Sequence, residues 1–157
     1  MITFVTQGAK AQKLSGYVTV IDGDTLKLSD RRLRLHGIDA SKRHQECQNN
    51  MAETYQCGHL ATKCLIELIN EQNVICEVKD TDRYVRAVAN CFVQQINFNE
   101  QLVLEALGIA SQKYSSDYIL AAKVAKRNVA GLWSGLFVAP WYWRLRIRLG
   151  SCEKMAT

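Results

Sequence analysis

Between Gly16 and Ser29, Val18, Val20, Leu26 and Leu28 alternate with polar residues on either side of Asp22-Gly23-Asp24. Apolar residues at every second position around a glycine-containing turn read as two strands of a tight hairpin. Asp30-Arg31-Arg32 supplies a further turn, and Leu33, Leu35 and Ile38 continue as a third strand. The stretch from Ala40 to Gln56 is polar, rich in Asn, Gln and Lys, and reads as a surface loop. From Gly58 the period changes: Leu60, Ala61, Cys64, Leu65, Leu68 and Ile69 fall on one face of a helix.

Two more strands are expected, Val74 to Val78 and Val85 to Val93, on either side of the charged turn Asp80-Thr81-Asp82-Arg83. Two helical patterns follow, one carrying Phe98, Leu102, Val103, Ala106 and Leu107, the other Tyr118, Ala121, Ala122, Ala125 and Val129. Gly108 and Gly131 stand where helix C-caps would be. Strands clustered early and joined by short turns argue for a small antiparallel barrel with flanking helices rather than a βαβ wind. The expected class is α+β, a five-stranded barrel of the oligonucleotide/oligosaccharide-binding (OB) type flanked by three α-helices.

With 157 residues, 48% of them hydrophobic and only one proline, the chain suits one compact domain, and a monomer is expected. A chain of this size buries roughly 70% of its unfolded surface, so it needs no staple merely to fold. No apolar run approaches the ~18 residues of a membrane span. Residues 1–13 read as an N-terminal extension in which Ala9-Lys10-Ala11 resembles a signal-cleavage remnant, 14–143 as the domain and 144–157 as a basic tail. The net charge of +5 is concentrated in that tail, where Arg144, Arg146, Arg148 and Lys154 face Glu153 alone. A polyanionic partner is suggested.

Six cysteines form an even set, a count that also suits buried thiols. Their positions favour pairing. A hairpin turning near Asp82 to Tyr84 places Cys76 opposite Cys91, at a separation a disulfide spans. Cys47 and Cys57 flank the polar loop and would close a second ring. Two disulfides and an exported, periplasmic or secreted protein are expected, against the cytoplasmic alternative.

This topology brings three acidic residues together: Asp22 and Asp24 at the first turn and Asp39 after the third strand. Carboxylates held close at a barrel rim suit a hard cation, although acidic residues at turns are common for turn geometry alone. Arg34 on the third strand and Arg86 at the start of the fifth approach the same rim. Paired guanidinium forks can hold a phosphate and stabilise charge gathering on its oxygens.

In order and spacing, Val20-Ile21-Asp22-Gly23-Asp24-Thr25-Leu26, Leu33-Arg34-Leu35-His36-Gly37-Ile38-Asp39-Ala40 and Asp82-Arg83-Tyr84-Val85-Arg86 resemble the staphylococcal nuclease family. The resemblance runs from about Leu14 to Trp143 and includes Asn99-Glu100, Tyr114 and Gly131-Leu132-Trp133. It implies an OB-type barrel with three helices and Ca²⁺-dependent hydrolysis of phosphodiester bonds in DNA and RNA, extended or single-stranded nucleic acid being preferred. It further implies metal binding by Asp24, Asp39 and the backbone carbonyl of Ala40, with Asp22 in the surrounding shell. Arg34 and Arg86 would grip the phosphate, and Tyr84 and Tyr114 would contact the nucleotide, Tyr114 by stacking on a base.

One position departs from the pattern. The family usually reads Asp-x-Pro-Glu where this chain reads Asp39-Ala40-Ser41-Lys42. The missing glutamate is regarded as placing or deprotonating the attacking water. A lysine, with an unperturbed pKa near ~10.4, is cationic at neutral pH and cannot be that base. Three readings stay open: activity is lost and a domain that binds nucleic acid or a protein partner remains; the loop reshapes so that Glu46 supplies the carboxylate; or the metal alone generates enough hydroxide for slow cleavage.

The tail adds Trp141-Tyr142-Trp143 before Arg144-Leu145-Arg146-Ile147-Arg148-Leu149. An extended segment would carry its three arginines on one side, along a phosphate backbone or as a solvated edge. No Cys-x-x-Cys, phosphate-loop or dinucleotide-binding glycine motif occurs.

Overall fold

The computed structural model describes residues 11–150; the first ten residues of the N-terminal extension 1–13, suggested as a signal remnant, and the last seven residues of the tail lie outside them. Eleven strands are short: β1 (Lys13–Gly16), β2 (Val18–Asp22), β3 (Thr25–Leu28), β4 (Arg31–Leu35), β5 (Ile38–Ala40), β6 (Cys47–Gln48), β7 (Thr54–Tyr55), β8 (Val74–Thr81), β9 (Ala87–Val93), β10 (Ile96–Asn97) and β11 (Gly108–Ala110). The helices are α1 (Cys57–Ile69), α2 (Phe98–Leu104), α3 (Ile119–Arg127) and α4 (Pro140–Arg144), with a 3₁₀ turn at Gly131–Ser134. The main sheet runs β1-β8-β9-β4-β3-β2, with β10 paired to β9, and curls into a half-barrel. The expected α+β, OB-type architecture is therefore present, with one short helix more than the three anticipated.

The barrel is mixed rather than purely antiparallel, because β4 and β9 pair in parallel, Leu33 opposite Ala87 and Leu35 opposite Ala89. A parallel pair needs a long crossover, and residues 36–86, including α1 and β8, supply it. Leu26, Leu33, Leu35, Ala89 and Cys91 point inward from the sheet and meet Ala61 and Leu65 of α1 and Phe98, Leu102 and Val103 of α2. Gly23 lets α1 come close: a Cβ there would lie 2.9 Å from the Cβ atoms of both Ala40 and Ala61.

Three boundaries differ from those the pattern suggests. Ile38 does not extend the third strand. The chain turns at Gly37, whose φ of +72° is left-handed and suits glycine, and Ile38–Ala40 pair instead with β11. Gly108 is accordingly a strand residue opposite Ala40 rather than a helix cap, and Ala106 takes the left-handed conformation after α2. Residues 40–56 are not a simple surface loop either. Gln45 and Cys47 are fully buried there, and Cys47–Gln48 pair with Thr54–Tyr55.

Both expected disulfides form, Cys47–Cys57 and Cys76–Cys91, the second joining directly opposed residues of β8 and β9. Asn99, in the first turn of α2, ties the helix to the barrel. Its amide donates to the carbonyls of His36 (2.9 Å) and Ala89 (3.0 Å), and its Oδ1 accepts from the Cys91 N–H (3.2 Å). Asn97 caps the same helix, accepting from the N–H groups of Asn99 and Glu100.

Replacing Asn99 by Leu keeps the volume but leaves the His36 carbonyl and the Cys91 N–H buried without this partner. Each orphaned group costs about 1–3 kcal/mol, so urea denaturation of Asn99→Leu is expected to show a loss of roughly 3 kcal/mol. A loss under about 1 kcal/mol would mean that Asn99 is not the tie.

Candidate functional site

The hairpin β2–β3 turns through Asp22-Gly23-Asp24, and the Asp24 N–H donates to the Asp22 carboxylate at 3.1 Å. This folds the turn so that the Asp24 carboxyl points into the barrel rim, where the residue is 1% exposed. Asp39, on β5, is 4% exposed beside it. Buried carboxylates must be compensated, and cations from three parts of the chain converge on this pair.

Arg34 of β4 reaches Asp24 (3.4 Å) and Asp39 (3.3 Å). The Lys42 ammonium lies between the two carboxylates, 2.9 Å from Asp24 Oδ2 and 2.7 Å from Asp39 Oδ1. Arg144, at the end of α4, donates to both oxygens of Asp39 at 3.0 and 2.8 Å. The Ala40 N–H and the Thr25 hydroxyl complete the ring of donors around Asp24.

Electrostatics follow this geometry. Burial by itself would push the Asp24 carboxyl up, but the Lys42 ammonium and then the Arg34 guanidinium outweigh it and hold Asp24 well below the usual carboxylate range. Asp22 is raised instead, first by burial and then by the neighbouring Asp24 charge, which outweigh the pull of Lys42. Burial opposes the charge on Arg34, yet Asp24 and Asp39 more than compensate and raise its pKa.

The second basic element is the turn before β9. Asp82 accepts from the N–H groups of Tyr84 and Arg86 and from Arg86 Nε at 2.7 Å. Its carboxyl is lowered against the effect of burial by these bonds from Arg86. Val85 adopts φ +61° in this turn and is exposed, so β9 begins at Ala87 and Arg86 belongs to the turn, not to the strand. A β-branched residue in the left-handed region is strained, and the strain here accompanies a turn that presents Arg86 and Tyr84 to one cleft.

That open cleft, of about 780 Å³, is lined by Asp22, Asp24, Arg34, Asp39, Lys42, Tyr84, Arg86, Tyr114 and Arg144. Tyr84 and Tyr114 are largely exposed, with the Arg83 and Arg86 guanidinium groups over the Tyr84 ring and the Lys113 ammonium over the Tyr114 ring. The sequence candidates therefore gather in one place, with two exceptions: Ala40 is fully buried in β5, paired with Gly108, and does not line the cleft, and the other is Glu46. Glu46 is exposed, accepts from the Gln56 amide at 2.8 Å and is absent from the cleft lining. The loop turns it outward because Gln45 points in, its amide donating to the Val138 carbonyl (2.6 Å) and its oxygen accepting from the Lys42 N–H (3.0 Å). Glu46 is not positioned as a substitute base.

Arg144 was legible only as a tail charge. Pro140–Arg144 form a helix with Pro at its start, which turns Arg144 back onto Asp39, and residues 145–150 after it form turns rather than the expected extended run. Its signal in the sequence is Pro140 before Trp141-Tyr142-Trp143, a proline placed to start a helix.

A calcium ion takes six to eight oxygen ligands at ~2.3–2.6 Å. Here all four carboxylate oxygens of Asp24 and Asp39 already accept from cationic or N–H donors, and Lys42 stands between them. Among the described residues no group of three or more His, Cys, Asp or Glu is arranged to hold a metal ion. The residues as arranged do not fit a divalent cation.

A curled OB-type barrel with guanidinium groups and carboxylates on one rim defines a nuclease-type domain, and the chain belongs to the staphylococcal nuclease homologue family, whose model matches residues 32–135. It is 29% identical over 126 residues to the succinoglycan biosynthesis protein ExoI of Rhizobium meliloti (strain 1021), covering 78% of this chain and 66% of that protein. It is 28% identical to an uncharacterized endonuclease of Haemophilus influenzae, covering 85% of this chain and 74% of the relative. Protein ParB of Escherichia coli is also 28% identical, over 91% of this chain and 85% of its own length. The family match includes Arg34, Asp39, Lys42 and Arg86 but ends before Arg144.

Lys42→Met removes a partner from two buried carboxylates and is expected to cost about 3–5 kcal/mol at pH 7. Because Asp24 is depressed in the fold, its contribution is present above the unfolded value near ~3.9 and is lost as pH falls below it. The stability gap between wild type and Lys42→Met, followed by urea denaturation, should therefore be full at neutral pH and shrink below about pH 4. A gap that widens with acid would contradict the ion cluster.

Proposed function

We propose that this nuclease-type domain takes an extended single strand of DNA or RNA into the cleft and acts there on a phosphodiester bond. One observation carries this reading: Arg34, Lys42, Arg86 and Arg144 line the same cleft as the exposed Tyr84 and Tyr114. The printed name of the Haemophilus relative, an endonuclease, is in keeping with it. Arg86, held by Asp82, and Arg34, held by the carboxylates, present guanidinium donors to phosphate oxygens and to the charge that grows on them in the transition state. Tyr84 and Tyr114 offer ring faces to bases without regard to sequence.

Cleavage is slow in this reading. Lys42 replaces the carboxylate expected to activate water, and general-base assistance of that kind is worth ~10²–10⁴-fold. A second reading, nucleic-acid binding without cleavage, is favoured by that same lysine. The two disulfides suit an oxidising setting, which supports export to the periplasm or beyond. No helix among the described residues is long and apolar enough to cross a membrane.

Incubating the protein with heat-denatured DNA and RNA and resolving the products by gel separates the readings. Cleavage that falls by ~10²–10³-fold in Arg86→Ala supports the nuclease, and cleavage indifferent to Arg86 removes the proposed mechanism. Tyr114→Ala is expected to weaken the binding of a labelled oligothymidylate about tenfold by fluorescence anisotropy, with or without cleavage. Binding without products in wild type would leave the second reading.

A further inference from the structure

The position of Lys42 goes beyond the loss of a base. A lysine that merely replaced a glutamate at a solvated site would extend into water, since its ammonium is strongly hydrated and its stem flexible. Here the side chain is only 19% exposed and its nitrogen lies within 2.9 Å of Asp24 Oδ2 and 2.7 Å of Asp39 Oδ1. The backbone fixes it as well. The Lys42 N–H donates to Gln45 Oε1, and the Lys42 carbonyl lies so close to Gly58 that a Cβ there would collide with it. The charges balance, because Arg34, Lys42 and Arg144 together match Asp22, Asp24 and Asp39. An incoming divalent ion would meet no free carboxylate oxygen on Asp24 or Asp39 and would stand a few ångströms from an ammonium of like charge.

We propose that the Lys42 ammonium is the resident cation of this site, standing between Asp24 and Asp39 where a divalent ion would otherwise bind, so that the site takes a phosphodiester without a divalent metal. An ammonium has three N–H donors. Two contacts go to the carboxylates, and because Lys42 also lines the cleft its third donor would meet a phosphate oxygen there. Lys42 thus acts as a point charge between the two arginine forks. The phosphodiester clause rests on the function proposed above, whereas the placement of the cation does not.

Two assays keep these apart. Titrating the wild-type protein with CaCl₂ in a calorimeter, with no nucleic acid present, is expected to give no saturable heat up to about 10 mM, beyond the range of weak protein sites. Lys42→Ala, its fold checked by circular dichroism, should acquire saturable binding at least about tenfold tighter than that limit. Adding Asp24→Asn should abolish the gain. Saturable sub-millimolar binding by the wild type, or a folded Lys42→Ala that gains none, overturns the proposal.

Should Lys42→Ala fail to fold, ¹⁵N NMR of the wild-type lysine ammonium groups decides. One exchange-protected signal, unmoved by about 10 mM CaCl₂, is expected, and its loss on adding calcium overturns the proposal. In the second assay, wild-type affinity for a labelled oligothymidylate should agree within about twofold in calcium and in chelator, and a tenfold loss in chelator would sink metal independence. If the oligonucleotide does not bind at all, the proposed function fails while the calorimetric result on Lys42 still stands.

Discussion

Two carboxylates buried at one rim of a small barrel are the constraint around which this molecule is arranged. Asp24 and Asp39 are removed from water, and ionised groups in that position require cations and hydrogen bonds. Those come from the β2–β3 hairpin, from β4, from the loop after β5 and from α4 at the far end of the chain. The cluster thereby ties the β2–β3 hairpin and the loop after β5 to Arg144, more than a hundred residues further along the chain. Removing one member leaves a charge stranded, which makes the set a structural unit as much as a chemical one.

Much of this could be read from the sequence, and what could not has physical causes. Period-two alternation at Val18, Val20, Leu26 and Leu28 and the helical face at Ala61, Leu65 and Ile69 are local signals, and each appears as an element close to where it was expected. The Cys76–Cys91 pairing follows from hairpin symmetry. The parallel pairing of β4 with β9 has no local signature, because it depends on how the crossover packs. The gathering of Asp24, Asp39, Arg34 and Arg86 came from three ordered motifs. The position of the Lys42 ammonium could not, since a sequence shows that a base is missing but not where its replacement points. Glu46 and Arg144 were exchanged in effect: the nearer carboxylate faces away, and the distant arginine comes in, because Gln45 is buried and Pro140 starts a helix.

The site that results is organised for anions. Its acidic residues serve to hold basic ones in place, while the basic residues face the cleft. Arg86 follows the same rule at a second location, fixed by Asp82 through a turn that strains Val85. Preorganised donors of this kind lose little freedom when a phosphate arrives, which is how positioning contributes to binding and to reaction. In the function proposed above, the exposed tyrosines would add affinity for bases that is indifferent to their identity.

The Cys47–Cys57 bond closes a ring whose two ends lie beside Gln45 and Gly58, the residues that seat the Lys42 loop on α1. This gives the molecule a history as well as a shape. Before the thiols are oxidised, seating the loop must overcome the closure entropy of an untethered segment; afterwards that cost has largely been met. The charge cluster is then set more firmly in the oxidised chain than in the reduced one.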